Sequence, residues 1–160
     1  MTVKEKVKSR KEVKEILATD HEGDEVVFTN GCFDLLHVGH VRYLEEAAKF
    51  GDILVVGVND DNSVRQLKGK KRPLVSKEER VEMLAGLEVV NYVTLFSELT
   101  AKKTISLLEP DLYVKGGDYD LKELPEREAV ERCGAGIKLV PEVEGFSTTE
   151  LINKIVTRYS

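Results

Sequence analysis

Cysteine is scarce: the 160 residues contain two, Cys32 and Cys133, and no C-x-x-C pair. That excludes a disulfide framework and the ligand spacing of a zinc ribbon. Long apolar runs are also missing. The longest, Ile53 to Val58, falls far short of the ~20 residues a membrane-spanning helix needs. The opening segment, MTVKEKVKSRKEVKEIL, is charged throughout and lacks the apolar centre of a secretion signal. The cytoplasm is therefore the expected location. Nor is there an excess of positive charge. The 24 basic residues against 29 acidic ones leave a net −5, which excludes a protein that coats nucleic acid by bulk charge. No internal repeat, low-complexity tract or long linker interrupts the chain.

What is present suits one domain with a proper core, since 41% of the residues are hydrophobic. Residues 1–24 are expected to form a charged helical extension, with Val13, Ile16 and Leu17 on one narrow stripe. From residue 25 to 160 short β-branched runs alternate with helical patterns. Strands are predicted at Val26–Phe28, Ile53–Val58, Val89–Phe96, Leu112–Val114 and Ile137–Val140. Helices are predicted to run to Gly51, from the capping box Ser76 and Glu79, over Thr100–Leu108, over about Pro125–Arg132, and over Thr148–Thr157. Strands that are apolar on both faces and alternate with helices imply a doubly wound, Rossmann-like α/β domain. Its five-stranded parallel sheet carries helices on both faces. Ligands of such folds sit beyond the carboxyl ends of the strands, where strand order reverses.

The strongest local signal lies just after the first strand, in T-N-G-C-F-D-L-L-H-V-G-H, Thr29 to His40. His37 and His40, two of three histidines in the chain, stand three apart at a helix start and so share a face. Gly39 between them carries no side chain, and the helix N-terminus contributes free N–H groups and partial positive charge. Together these make a cradle for a polyphosphate. Zinc is the competing reading, but His21 is remote, neither cysteine has a local partner, and H-E-x-x-H is absent. A G-x-x-x-x-G-K-(S/T) phosphate loop is also absent, and Gly134-Ala-Gly136 precedes a strand and lacks a third glycine. Three further blocks follow strands or open helices. Lys68, Lys70, Lys71 and Arg72 form a cationic cluster suited to phosphate, although a solvated loop would also explain it. Lys115-Gly116-Gly117-Asp118 ends a strand, and Ser147-Thr148-Thr149 begins the last helix, where an N-cap alone would account for one hydroxyl.

The segment G-x-F-D-x-x-H-x-G-H resembles the cytidylyltransferase-like nucleotidyltransferases, and the likeness covers nearly all of the chain after Glu25. Asn59-Asp60-Asp61, Leu67-Lys68-Gly69, Arg72-Pro73, V-K-G-G-D-Y and S-T-T occur in the family's order. The V-K-G-G-D-Y block followed by S-T-T is most similar to the branch that transfers AMP from ATP to D-glycero-β-D-manno-heptose 1-phosphate, here expected as a free-standing domain. The resemblance implies His37, His40 and Lys68 as catalytic residues. It implies nucleotide binding by Thr29, Asn30, Gly31, Phe33, Lys115, Gly116, Gly117, Asp118, Ser147, Thr148 and Thr149, and an acceptor-phosphate site of Lys68, Arg72 and Arg80. No protein metal site is implied; Mg²⁺ is expected on the triphosphate, held mostly by substrate and water. A homodimer is expected from the family. Asp34 is expected to brace its loop and not to act as a base, because a phosphate acceptor is already ionised. Two cationic positions of the glycerol-phosphate branch are replaced, by Pro141–Gly145 and by Glu150. Other phosphorylated acceptors, and a non-catalytic nucleotide sensor, remain alternatives at this point.

Overall fold

Runs of β-branched and aromatic residues form five strands: β1 (Val26–Gly31), β2 (Ile53–Asn59), β3 (Tyr92–Phe96), β4 (Leu112–Gly116) and β5 (Gly136–Val140). They belong to a computed structural model that describes residues 1–160. The sheet is wholly parallel, in the order β3-β2-β1-β4-β5. Parallel neighbours need crossovers, and eight helices supply them or flank them: α1 (Val3–Lys6), α2 (Arg10–Thr19), α3 (Val38–Ala48), α4 (Asp61–Lys68), α5 (Lys77–Ala85), α6 (Lys102–Leu108), α7 (Arg127–Arg132) and α8 (Thr148–Tyr159). This is the doubly wound arrangement the sequence pattern implies.

Alternation along β1 divides the core in two. Val26 and Phe28 point to one face, where they join Val13 of α2, Ile105 of α6 and Val130 of α7. Val27 points to the other, with Leu44 of α3, Leu84 of α5 and Val93 of β3. β2 is buried along its whole length, as a strand covered on both faces must be.

Several element ends shift by two or three residues from expectation, β1 for instance running on to Gly31, and two differences bear on packing. The N-terminal segment forms two helices, because Ser9 and Glu12 make a capping box that starts α2 afresh, while Val7 runs extended and bridges to Val93. Val13 is fully buried, so this charged segment is part of the main core. β3 begins at Tyr92 instead of Val89, since the Val90 N–H closes a turn onto the Leu87 carbonyl.

Strand order reverses at β1, and there the sheet opens. β1 pairs with β2 as far as Gly31 opposite Val58. On its other side it pairs with β4 only at Val27–Leu112 and Phe28–Tyr113. Thr29, Asn30 and Gly31 therefore diverge from β4, leaving a crevice at the carboxyl edge where a ligand site is expected.

Candidate active site

The crevice widens into a cleft of about 630 Å³, within the range of small-molecule sites. Of the residues singled out from sequence, His37, His40, Lys68 and Arg72 line it. So do Asn30, Gly31 and Phe33 from the first loop, Lys115 and Gly116 from β4, and Ser147, Thr148 and Thr149 from the start of α8. Residues more than a hundred positions apart are thus brought to one place by the sheet's switch in direction.

The two histidines are held by the start of α3. His37 is its N-cap, and its Nδ1 accepts the Gly39 N–H at 3.1 Å. His40 reaches back, its Nδ1 accepting the His37 N–H at 3.2 Å. This is a capping box built from imidazoles. The rings stack, with centroids 3.8 Å apart and planes 29° from parallel. A nitrogen that accepts a backbone N–H carries no proton, so each neutral ring has its hydrogen on Nε2, the atom left for a ligand. Burial holds both rings below the ordinary 6.5, and burial with the neighbouring His37 takes His40 down to about 4. Near neutral pH the pair consists of two uncharged N–H donors. A side chain at Gly39 would lie 2.9 Å from the His37 ring and 3.0 Å from Phe146, so glycine there permits the stacking and the approach of α8.

Asp34 fixes the loop that carries these groups. Its buried carboxylate accepts the N–H groups of Leu74 and Val75 and, at 2.6 Å, the Arg72 Nε–H. Burial pushes the carboxyl up, but these hydrogen bonds and the Arg72 charge outweigh it and hold it below its ordinary value. The Asp34 carbonyl accepts the Thr148 hydroxyl at 2.7 Å, which ties the last helix to the same loop. Phe33 and Leu35 on either side have φ of 51°, a left-handed conformation that L-residues adopt only when held there. Asp34 is the anchor that holds it.

The electrostatics favour an anion although the chain is acidic overall. The N-termini of α3 and α8 both open onto the cleft, with the positive ends of their dipoles toward it. Lys68, in the last turn of α4, is exposed and makes no ion pair. Lys115 adds a second ammonium, which lies 5.5 Å from the Tyr119 ring centre.

Four sequence-predicted contacts do not reach the cleft. Arg80 is only 1% exposed. Four of its five N–H donors go to the carbonyls of Val75, Cys32 and Asn59 and to Asp61 Oδ1, at 2.6–3.0 Å. It splints the first loop to the end of β2 and, buried outside the cleft lining, does not face an acceptor phosphate there. Thr29 is fully buried and shares its hydroxyl with Tyr43 at 2.6 Å. Gly117, at φ 103°, turns the chain away while its N–H donates to the Val140 carbonyl, and Asp118 is carried out into solvent. Arg72 lines the cleft, but its Nε is committed to Asp34.

Sequence reasoning missed Tyr43, Glu126, Glu142 and Phe146 in the lining. Tyr43 was findable, since it stands one turn after His40 on the same helix face. Its hydroxyl donates to the Val114 carbonyl at 3.2 Å, bridging the gap where β1 and β4 part. Glu126 lies beyond an irregular stretch between β4 and α7, and no local pattern points to it. No group of three or more His, Cys, Asp or Glu side chains is placed to hold a metal ion, and no helix is long and apolar enough to cross a membrane.

The chain is also similar to known proteins over most of its length. The bifunctional protein HldE of Citrifermentans bemidjiense is 51% identical over 155 residues, covering 96% of this chain and 32% of that one. The HldE of Geobacter sulfurreducens is 53% identical over 144 residues, 90% of this chain and 29% of its own. The chain thus spans about a third of the length of these relatives. Among solved structures, a lipopolysaccharide core biosynthesis protein from Thermoplasma volcanium superposes with TM-score 0.63 at 31% identity, covering 76% of this chain and 98% of that one. A pantoate-β-alanine ligase from Francisella tularensis gives TM-score 0.61 at 13% identity over 94% of this chain and 77% of its own, a likeness of fold alone. With its paired histidines at the switch point and a family match over residues 28–157, the chain belongs to the Cytidylyltransferase-like family.

Proposed function

We propose that this chain transfers AMP from ATP to a sugar 1-phosphate, D-glycero-β-D-manno-heptose 1-phosphate, releasing pyrophosphate. The observation that carries the transfer chemistry is the stacked histidine pair, whose Nδ1 atoms are both occupied by backbone N–H groups. Two Nε2–H donors are thereby preset for phosphate oxygens that gain charge in the transition state. The acceptor is supported by the V-K-G-G-D-Y and S-T-T blocks and by relatives named HldE. It is further supported by the likeness to a lipopolysaccharide core biosynthesis protein.

In this reading a sugar 1-phosphate oxygen attacks the α-phosphorus in line, and pyrophosphate departs on the opposite side. Lys68 offsets the repulsion between the two anions, and the first turn of α8 holds the triphosphate tail. Mg²⁺, expected to be held mostly by the triphosphate and water, would supply charge shielding at the phosphate oxygens. No base is needed, in keeping with Asp34 being wholly taken up by the loop it braces.

The test is pyrophosphate release with ATP or CTP against a panel of heptose 1-phosphate, mannose 1-phosphate and glycerol 3-phosphate. Turnover is expected with ATP and heptose 1-phosphate. Preference for CTP with glycerol 3-phosphate would replace this reading, and nucleotide binding with no pyrophosphate from any acceptor would make the protein a sensor.

A further inference from the structure

One part of the cleft wall lies away from the paired histidines. It lies on the α6 and α7 side of the sheet, whereas His37, His40 and Tyr43 belong to α3 on the other side. Leu99, Thr100, Pro125 and Glu126 form it, together with Asn30 at the end of β1.

Glu126 is unusual there. It is 97% buried, being 3% exposed, yet no cation pairs with it. Its Oε1 accepts one long hydrogen bond, from the Ala101 N–H at 3.4 Å, and its Oε2 has no partner at all. A buried carboxylate oxygen without a donor is costly, and natural proteins rarely leave one so unless something completes it. Asn30 supplies the complementary chemistry. Its Oδ1 accepts the hydroxyl of the fully buried Tyr113 at 2.5 Å, which fixes the amide and leaves its two N–H groups as donors. Asn30 and Glu126 line the same cleft.

A preset acceptor and a preset donor on one wall match a ligand whose polar groups both donate and accept, as hydroxyls do. A phosphate oxygen would be repelled by Glu126. Resting on the activity proposed above, we infer that Glu126, with Asn30, reads the hydroxyls of the acceptor sugar and makes the enzyme select polyhydroxylated phosphates. The ribose of ATP carries the same chemistry, but the helix N-termini and the histidine pair that suit a triphosphate lie on the opposite face of the sheet.

The test uses Glu126→Gln, which keeps the shape and the Ala101 contact but replaces an acceptor with a donor, and Glu126→Met as a second variant. Steady-state constants are measured with heptose 1-phosphate and with ATP, alongside 2′-deoxy-ATP and the melting temperature. Losing a hydrogen bond to a charged group should raise the acceptor KM roughly 10- to 100-fold. The ATP KM and the preference for ATP over 2′-deoxy-ATP should stay within about threefold, and Tm should hold or rise, as expected when an unpaired buried charge is removed from a binding site. An unchanged acceptor KM overturns the inference. So does an altered ATP to 2′-deoxy-ATP ratio, which would give the wall to the ribose, or a fall in Tm with all constants moving together. Should the wild type release no pyrophosphate with any sugar 1-phosphate, the proposed reaction fails separately. Calorimetric titration of heptose 1-phosphate into wild type and Glu126→Gln then still decides this point, an equal Kd overturning it.

Discussion

A histidine whose Nδ1 is occupied by the backbone behaves differently from one free in solution. His40 is the sharper case, held down to about 4 by burial and by its neighbour. An NMR titration of the free protein should therefore show its imidazole neutral, with the proton on Nε2, across the physiological range and protonating only near pH 4. Binding ATP should raise that value, because an adjacent anion favours the charged ring. The same shift bears on stability. Between the ordinary 6.5 and the depressed value the unfolded chain binds more protons than the folded one, so folding stability falls as pH drops through that window. For catalysis, His40→Ala should lower kcat roughly 10²–10³-fold, the usual cost of one preset donor. A stopped-time pyrophosphate assay checks it; turnover within threefold of wild type would take the ring out of the reaction. The histidines were legible because their spacing, type and position after a strand all point to one chemistry. Their tautomers were not legible, since these depend on which backbone N–H each ring meets.

At the scale of elements, the loop from Asn30 to His37 matters most. It carries two left-handed residues and is held chiefly by Asp34, whose three nitrogen donors come from the segment between α4 and α5. Asp34→Ala leaves the Arg72 guanidinium and two backbone N–H groups without their acceptor. Breaking such a shielded pair should cost about 3 kcal/mol, measured as a lower denaturant midpoint with unchanged m-value. Because the Asp34 carboxyl is depressed in the fold, its contribution is fully present above the ordinary carboxylate range and is lost as pH falls below it. The sequence suggested a bracing role for this aspartate, and the hydrogen bonds agree. It did not suggest that Arg80 is a splint. An arginine near a lysine cluster reads as a phosphate ligand, and only the burial of its guanidinium among three carbonyls and a carboxylate shows that it is already engaged. The same limit applies to Thr29 and Asp118, whose types suit a nucleotide but of which one is buried against Tyr43 and the other is carried into solvent where the chain turns at Gly117.

For the whole molecule, the decisive feature is that strand order reverses at β1, placing the starts of α3 and α8, the end of α4 and the end of β4 around one crevice. Alternating patterns predicted the strands and their parallel arrangement. The depth to which the N-terminal segment is integrated was not readable, because its composition is that of a solvated helix and only two of its apolar residues, Val13 and Leu17, are buried. Val13→Ala should lower the stability of the entire fold by on the order of 2 kcal/mol, in a single cooperative transition. A variant with wild-type stability, or with an early separate transition, would show the segment to be an appendage.

The most direct test is the structure of the protein bound to α,β-methylene-ATP, which cannot be cleaved at the scissile bond. The Nε2 atoms of His37 and His40 should each lie about 3 Å from phosphate oxygens, with the triphosphate between the N-termini of α3 and α8. A triphosphate seated elsewhere, or one that both rings leave untouched, would contradict the account.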